Sequence, residues 1–285
     1  MKIYCYVCEQ WEEKLQYCCQ RFSNNNPPAF TDQEAVCIYL YCMSVERRFR
    51  VKDIYGFASL YLRSWFPRLP SYVAFVNRMN RLNEALRLLA ESVLTDFQPE
   101  ACDTGITLVD SMPVITCSGK RRPKVAGEMV TKGYCSTRDM YYYGLKLHAA
   151  GYRRRGHLPF PARLILTEAS VNDLTLLKSI GDSFYDTSFF GDRDCWKLMA
   201  ASNRIEMLTP VKSIPGESEW EKQRNRAWAN LYSAAVSSVR QPVESLFNRL
   251  IEKTDIQRAA KVRSSKGLLT FIFGRIAAPF IFLVF

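Results

Sequence analysis

Three acidic residues stand where regular elements would carry them toward a common point. Asp110 closes the apolar run Ile106-Thr107-Leu108-Val109. A carboxylate ending so apolar a segment needs a partner, because burying it alone costs several kcal/mol or more. Asp192 repeats the arrangement after Phe189-Phe190-Gly191, and two strands that each finish in an aspartate bring both to one sheet edge. Glu244 lies one residue from an apolar helical face traced by Val243, Leu246, Phe247, Leu250 and Ile251, with Arg240 at i−4 and Asn248 at i+4. Three hard oxygen donors suit Mg²⁺ or Mn²⁺, which take carboxylates and waters and complete their shells with substrate phosphate. Two such ions about 3.5–4 Å apart serve an in-line displacement at phosphorus, one at the attacking oxygen and one at the leaving oxygen. Taken singly, an aspartate ending a strand is usually a cap, a turn residue or half of an ion pair, since structural networks also hold acids.

The elements that must position these acids are legible from periodicity. Residues 1–100 read as helical. Thr31-x-x-Glu34 is a capping box ahead of an apolar run, a second helix is predicted over 51–64, and a third begins after Ser71 and continues to about 93. Arg78, Arg81 and Arg87 lie off the apolar stripe of that third helix. Short helix, tight connection and basic helix together suit a helix-turn-helix DNA reader, although a helical bundle with a solvated basic face has the same spacing.

From about residue 104 the texture changes to short β-branched and aromatic runs. Strands are predicted at 106–110, 141–148, 163–167, 187–192 and 205–210, with a helix at 173–180 between the third and fourth. The link GYRRRGHLPFP makes the second and third strands a hairpin that carries Arg153, Arg154 and Arg155 outward. The expected fold is therefore α+β: a mixed five-stranded sheet flanked by helices over 101–285, preceded by an all-helical unit over 1–100. Pro242 is read as the first-turn proline of the helix bearing Glu244.

Composition narrows the partner. The net charge of +11 over 285 residues favours a polyanion, nucleic acid first and an anionic membrane surface second. Ten scattered cysteines without an apolar leader read as reduced thiols of a cytoplasmic protein. Cys5, Cys8, Cys18 and Cys19 have some zinc-site character, but adjacent Cys18 and Cys19 make an unusual second half. The apolar stretch 267–285 is nearly long enough to span a bilayer; Arg275 and Pro279 within it favour a buried closing helix.

Further cations are candidates for gripping DNA backbone. Lys120, Arg121, Arg122 and Lys124 follow the first strand, Arg153 to Arg155 crown the hairpin, and Lys146 and His148 share one strand face. Arg240, one turn before Glu244, suits a phosphate or a carboxylate. Each has a bland alternative as solvated charge or structural ion pair.

The blocks Val109-Asp110-Ser111-Met112-Pro113-Val114, Lys132-Gly133-Tyr134-Cys135, Tyr142-Tyr143-Gly144-Leu145-Lys146-Leu147-His148, Ala169-Ser170-Val171-Asn172-Asp173, Phe190-Gly191-Asp192 and Arg240-Gln241-Pro242-Val243-Glu244-Ser245-Leu246-Phe247 occur in this order. The set, which spans essentially the whole chain, resembles bacterial insertion-sequence transposases of the DDE type, closest to insertion sequence family 982. The resemblance implies a ribonuclease H-like fold, with the first acid on the first strand, the second on the fourth and the glutamate on a later helix. It assigns metal binding and catalysis to Asp110, Asp192 and Glu244 with two Mg²⁺ or Mn²⁺ ions. It implies cleavage at element ends to expose 3′-hydroxyls, then their attack on target DNA. The implied partners are double-stranded DNA and a second copy in a synaptic complex, in the bacterial nucleoid and without a membrane. Where the family favours glycine and then tyrosine after the second acid, this chain has Arg193-Asp194, which makes Asp194 an alternative ligand. Two other functions fit the same residues: a decayed or repurposed transposase that only binds DNA, and a nuclease without strand transfer.

Overall fold

The computed structural model describes residues 1–19, 28–120, 123, 126–172, 184–192, 206–211 and 218–284. The chain begins with helix α1 (Lys2–Gln10), which continues through a π-helical turn (Trp11–Leu15) into Gln16–Cys18. Helix α2 (Asp32–Ser44) starts at the predicted capping box. Thr31 Oγ1 accepts from the Glu34 N–H at 3.2 Å, and the Glu34 carboxylate accepts from the Thr31 N–H at 2.6 Å, so two otherwise orphaned donors are satisfied. Its residues Ala35 to Leu40 are all buried, as befits a helix apolar on every side at the centre of a bundle.

Helix α3 (Val51–Tyr61) follows, then α4 (Tyr72–Arg81), capped by Ser71. The single helix expected from 72 to 93 is in fact two. Leu82 (φ −83°, ψ 14°) leaves helical geometry, and α5 (Asn83–Asp96) starts anew. The apolar period runs on because Leu82 is itself buried at the corner, while the Asn83 side-chain amide donates to the Asn80 carbonyl at 2.8 Å.

Among the described residues the sheet has six strands, β1 (Asp103–Ser118), β2 (Thr131–Cys135), β3 (Met140–Arg153), β4 (Phe160–Glu168), β5 (Ser188–Phe190) and β6 (Glu206–Leu208). It is mixed, and the fold is α+β. β3 pairs antiparallel with β1 on one side; on its other side β2 pairs with Met140–Gly144 and β4 with Leu145–Tyr152. β5 adds parallel to β1, and β6 parallel to β5. The predicted strand at 106–110 proves to be the first part of a 16-residue strand. Pro113 is tolerated inside it because β5 covers only Ile106–Leu108, and among the described residues that edge has no ladder partner at Pro113. β2 is an addition to the five predicted strands. The helix expected at 173–180 lies outside the described residues.

Helix α6 (Glu219–Thr254) is capped by Ser218 and runs 36 residues. Pro242 is therefore an interior proline and not a first-turn one. Val243, Phe247 and Leu250 pack on the sheet with Leu108, Met112 and Val114; that burial outweighs the loss of one helical hydrogen bond. Beyond α6 the chain hooks onto β1, with the Ile115 N–H donating to Gln257 O and the Ala259 N–H donating to Ile115 O, both at 2.9 Å.

Helix α7 (Ser265–Val284) then turns back to pack against α2, α4 and α5, so one apolar core extends from Tyr6 through one sheet face to Ile281. By length and composition α7 could cross a membrane; 61% of its stretch Ser265–Phe282 is buried inside the molecule. Arg275 within it is buried against carbonyls: Nε donates to Thr254 O at 2.9 Å and Nη2 to Phe49 O at 2.6 Å, while its guanidinium lies 3.6 Å from the Phe271 ring centroid. Burial depresses the pKa of this guanidinium.

Candidate active site

Strand alternation decides which side of the sheet Asp110 serves. Leu108, Met112 and Val114 face the core beneath α6, whereas Val109 belongs to a separate cluster with Ala150, Phe184 and Phe189. Asp110 shares the parity of Leu108 and Met112, and so lies on the α6 side. Its Oδ1 accepts from the Ser111 N–H at 2.8 Å, and its Oδ2 is 3.3 Å from Nη1 of Arg240. The same guanidinium donates through Nη2 to Oε1 of Glu244 at 2.5 Å. One planar fork thus holds both acids, which bounds the separation of the two acid oxygens at about 8 Å. The i,i+4 spacing of Arg240 and Glu244 makes their pairing local; contact with Asp110 requires α6 to cross β1.

Asp192 follows β5 directly. The parallel register pairs Leu108 with Phe190, so Asp110 and Asp192 each stand two residues past a matched pair on neighbouring strands, where ladders are about 4.8 Å apart. Phe190 packs on the same core as Leu108, and the Gly191 N–H donates to Leu208 O at 3.2 Å, which holds β5 and β6 together up to this point. Buried Thr107 and Thr187 share a hydroxyl hydrogen bond of 3.0 Å that fixes the register from below. Asp192 itself is exposed.

For a divalent cation the donor chemistry is right: three carboxylates, all hard oxygen. The Arg240 guanidinium stands in for a cation between Asp110 and Glu244. Among the described residues, however, no group of three or more His, Cys, Asp or Glu side chains lies close enough to hold a metal ion. Asp194 lies outside the described residues.

Beside this acid pair runs a cleft of about 400 Å³, bounded by Leu108 of β1, Ser238, Val239 and Pro242 of α6, and the hairpin arginines Arg153, Arg154 and Arg155. The hairpin that the sequence places in the open thus leans against the helix that carries Glu244. Pro242 has no N–H, so the Ser238 carbonyl has no i+4 helical donor at this wall.

Several other predicted contacts are elsewhere. Lys146 and His148 alternate with Leu145, Leu147 and Ala149, whose side chains join the α6-side core, so they face away from Asp110. His148 is buried and shares a 2.8 Å hydrogen bond with Thr167 Oγ1, while Lys146 Nζ donates to Val171 O at 3.1 Å. Lys120 sits in the turn beyond Ser118, on the order of 30 Å of strand from Asp110, because β1 is longer than the periodicity suggested. Arg121, Arg122 and Lys124 lie outside the described residues.

Arg78 and Arg81 turn inward to Asp32, with ion-pair distances of 3.3 and 2.6 Å, and tie α4 to the start of α2. Arg87 pairs with Glu84 at 2.6 Å and with Glu91. The basic face expected on this helix is therefore largely neutralised within the bundle. Of the zinc candidates, Cys18 and Cys19 lie 3.6 Å apart at sulfur, whereas Cys8 and Cys5 act electrostatically on Cys37 of α2, whose thiol pKa is pushed up to about 12 chiefly by burial.

Compared with family models, curated proteins and solved structures, the chain matches none of them.

Proposed function

We propose that this protein is a metal-dependent DNA strand-cleaving and strand-joining enzyme, a transposase of the DDE type, acting through Asp110, Asp192 and Glu244. The observation that carries the reading is the meeting of Asp110 and Glu244, 134 residues apart in sequence, on the single guanidinium of Arg240. The equivalent register of Asp192 on the next strand supports it. A ribonuclease H-like fold for the sheet agrees with the first acid on β1, the second after the fourth of the five predicted strands, and the glutamate on a later helix.

Mg²⁺ or Mn²⁺, when bound, supplies Lewis acidity to the phosphodiester and lowers the pKa of the attacking water. Asp110 and Glu244 would hold it from the sheet and from α6, with Asp192 closing the set. Arg240 balances the two acids, and Arg153 to Arg155 line the approach along which a phosphate backbone would run. No side-chain nucleophile is required, because water and then a DNA 3′-hydroxyl attack phosphorus directly.

The test is metal-dependent nicking of duplex DNA carrying the sequences that flank the coding region, with a second duplex supplied to capture joined products. Asp110→Asn should leave DNA binding intact and reduce cleavage at least a thousandfold, about 4 kcal/mol of barrier. Cleavage at wild-type rate in that variant would overturn the assignment, and cut ends without joined products would mark a nuclease. One observation favours a second reading, a DNA-binding protein without cleavage: among the described residues the three acids do not close to metal-binding distance. Intact binding with no nicking in either metal would decide for it.

A further inference from the structure

The cleft beside α6 does not end at Pro242. A second pocket, of about 190 Å³, opens further along the same helix, and the two share Arg154, Leu158 and Pro159 of the β3–β4 hairpin. Its cations are Arg47, from the link between α2 and α3, and Arg249 and Lys253, one turn apart on α6. Among the described residues none of these three makes an ion pair, and no Asp or Glu lines either cavity. The Lys253 ammonium is held below its ordinary range by Arg47 first, then by loss of water and by Arg249; Glu252 opposes them. Like charges crowded this way call for an anion. Arg154 adds its positive charge to the wall common to both cavities, and among the described residues its buried Nε has no hydrogen-bond partner.

Between the cations the walls are hydrocarbon, with Leu246 and Leu250 from α6, Phe160 from β4, and Phe280 and the exposed Phe282 from α7. Phosphate-neutralising charge at the rim of an apolar, aromatic wall suits one nucleotide, its phosphate paired and its base against hydrocarbon. The pocket is smaller than the roughly 300 Å³ at which sites begin to enclose whole small ligands, so it would hold part of a nucleotide while the rest of the strand lies in the open groove. From Ser238 to Lys253 the helix spans about 22 Å, enough for several phosphates of a DNA strand. The site is recessed between a hairpin and three helices, α2, α6 and α7, which suits a strand lying in a groove better than a flat lipid surface.

We propose that Arg47, Arg249 and Lys253 form a binding site for an unpaired nucleotide of a DNA strand whose backbone runs along α6, past Arg154, toward Asp110. This rests on the reading of the acid pair as a DNA-cleaving site. The experiment compares fluorescence anisotropy of a labelled single-stranded oligonucleotide and of its blunt duplex, over a salt series, for the full chain and for the triple variant Arg47→Gln, Arg249→Gln, Lys253→Gln. The triple variant should bind the single strand at least about tenfold more weakly, with a log–log salt slope shallower by about 2, while duplex affinity changes far less. A charge-keeping triple variant, Arg47→Lys, Arg249→Lys, Lys253→Arg, should keep the slope, which separates lost charge from misfolding. Equal loss on both DNA forms, or no loss on either, overturns the proposal. So does binding of phosphatidylserine vesicles that the triple variant loses while single-strand affinity is unchanged. Wild-type cleavage is scored in parallel: its absence alongside a selective single-strand loss would sink the parent reading and leave the nucleotide site standing.

Discussion

At the scale of residues, Arg240 is the hinge of the site, since its guanidinium neutralises two carboxylates that would otherwise repel one another. A divalent cation drawn to Asp110 and Glu244 competes with that positive charge. Arg240→Ala should therefore tighten Mn²⁺ binding, measured by electron paramagnetic resonance, by about tenfold, equivalent to about 1.4 kcal/mol. Affinity that is unchanged or weaker would mean that the guanidinium supports the cation site and does not occupy it. Arg78 and Arg81 show the opposite fate of charge. Drawn inward by Asp32, they stitch helices together and leave the basic surface to the hairpin and to α6.

Among the elements, β1 and β3 form the axis on which the other strands are registered, and at Gly144 they approach too closely to admit a side chain. A Cβ there would fall on the Val114 carbonyl of the neighbouring strand, which is backbone and cannot swing aside. The irregularity in register between Ile115 and Cys117 lies directly opposite. Gly144→Ala should cost about 3 kcal/mol or more, in the range of severe packing defects, read as a lower urea midpoint with little change in slope. A loss under about 1 kcal/mol would show that the two strands separate there without penalty. The break at Leu82 makes the complementary point. Two helices share one apolar stripe because the corner residue is buried too, and periodicity cannot see a bend that keeps the stripe continuous.

In the molecule as a whole, α7 is a core element. Leu268, Ile272, Ile276, Ala277, Phe280 and Ile281 are buried among helices that begin about 180 to 230 residues before α7 does. Each large apolar side chain removed from water contributes about 1.5–3 kcal/mol, so their sum rivals the 5–15 kcal/mol by which a domain is stable. A chain ending at Ser264 should lose the cooperative urea transition and near-ultraviolet circular dichroism altogether. If it unfolds with a wild-type midpoint, α7 is an appendage and the single core described for the chain is wrong.

Much was determined by sequence alone because it depends on neighbours in the chain. The Thr31–Glu34 capping box, the hairpin around Arg153 to Arg155, the apolar face of α6 and the place of Asp192 just past a strand all follow from spacing, turn chemistry and alternation. The extent of β1, the interior position of Pro242 and the split at Leu82 did not, since in each case distant packing outweighs a local signal. Tertiary structure alone decided that Lys146 and His148 face away from Asp110, that Asp32 claims Arg78 and Arg81, and that Arg240 reaches Asp110 as well as Glu244. Such choices turn on which sheet face meets α6 and which cation finds an acid first, and no periodicity along the chain encodes either.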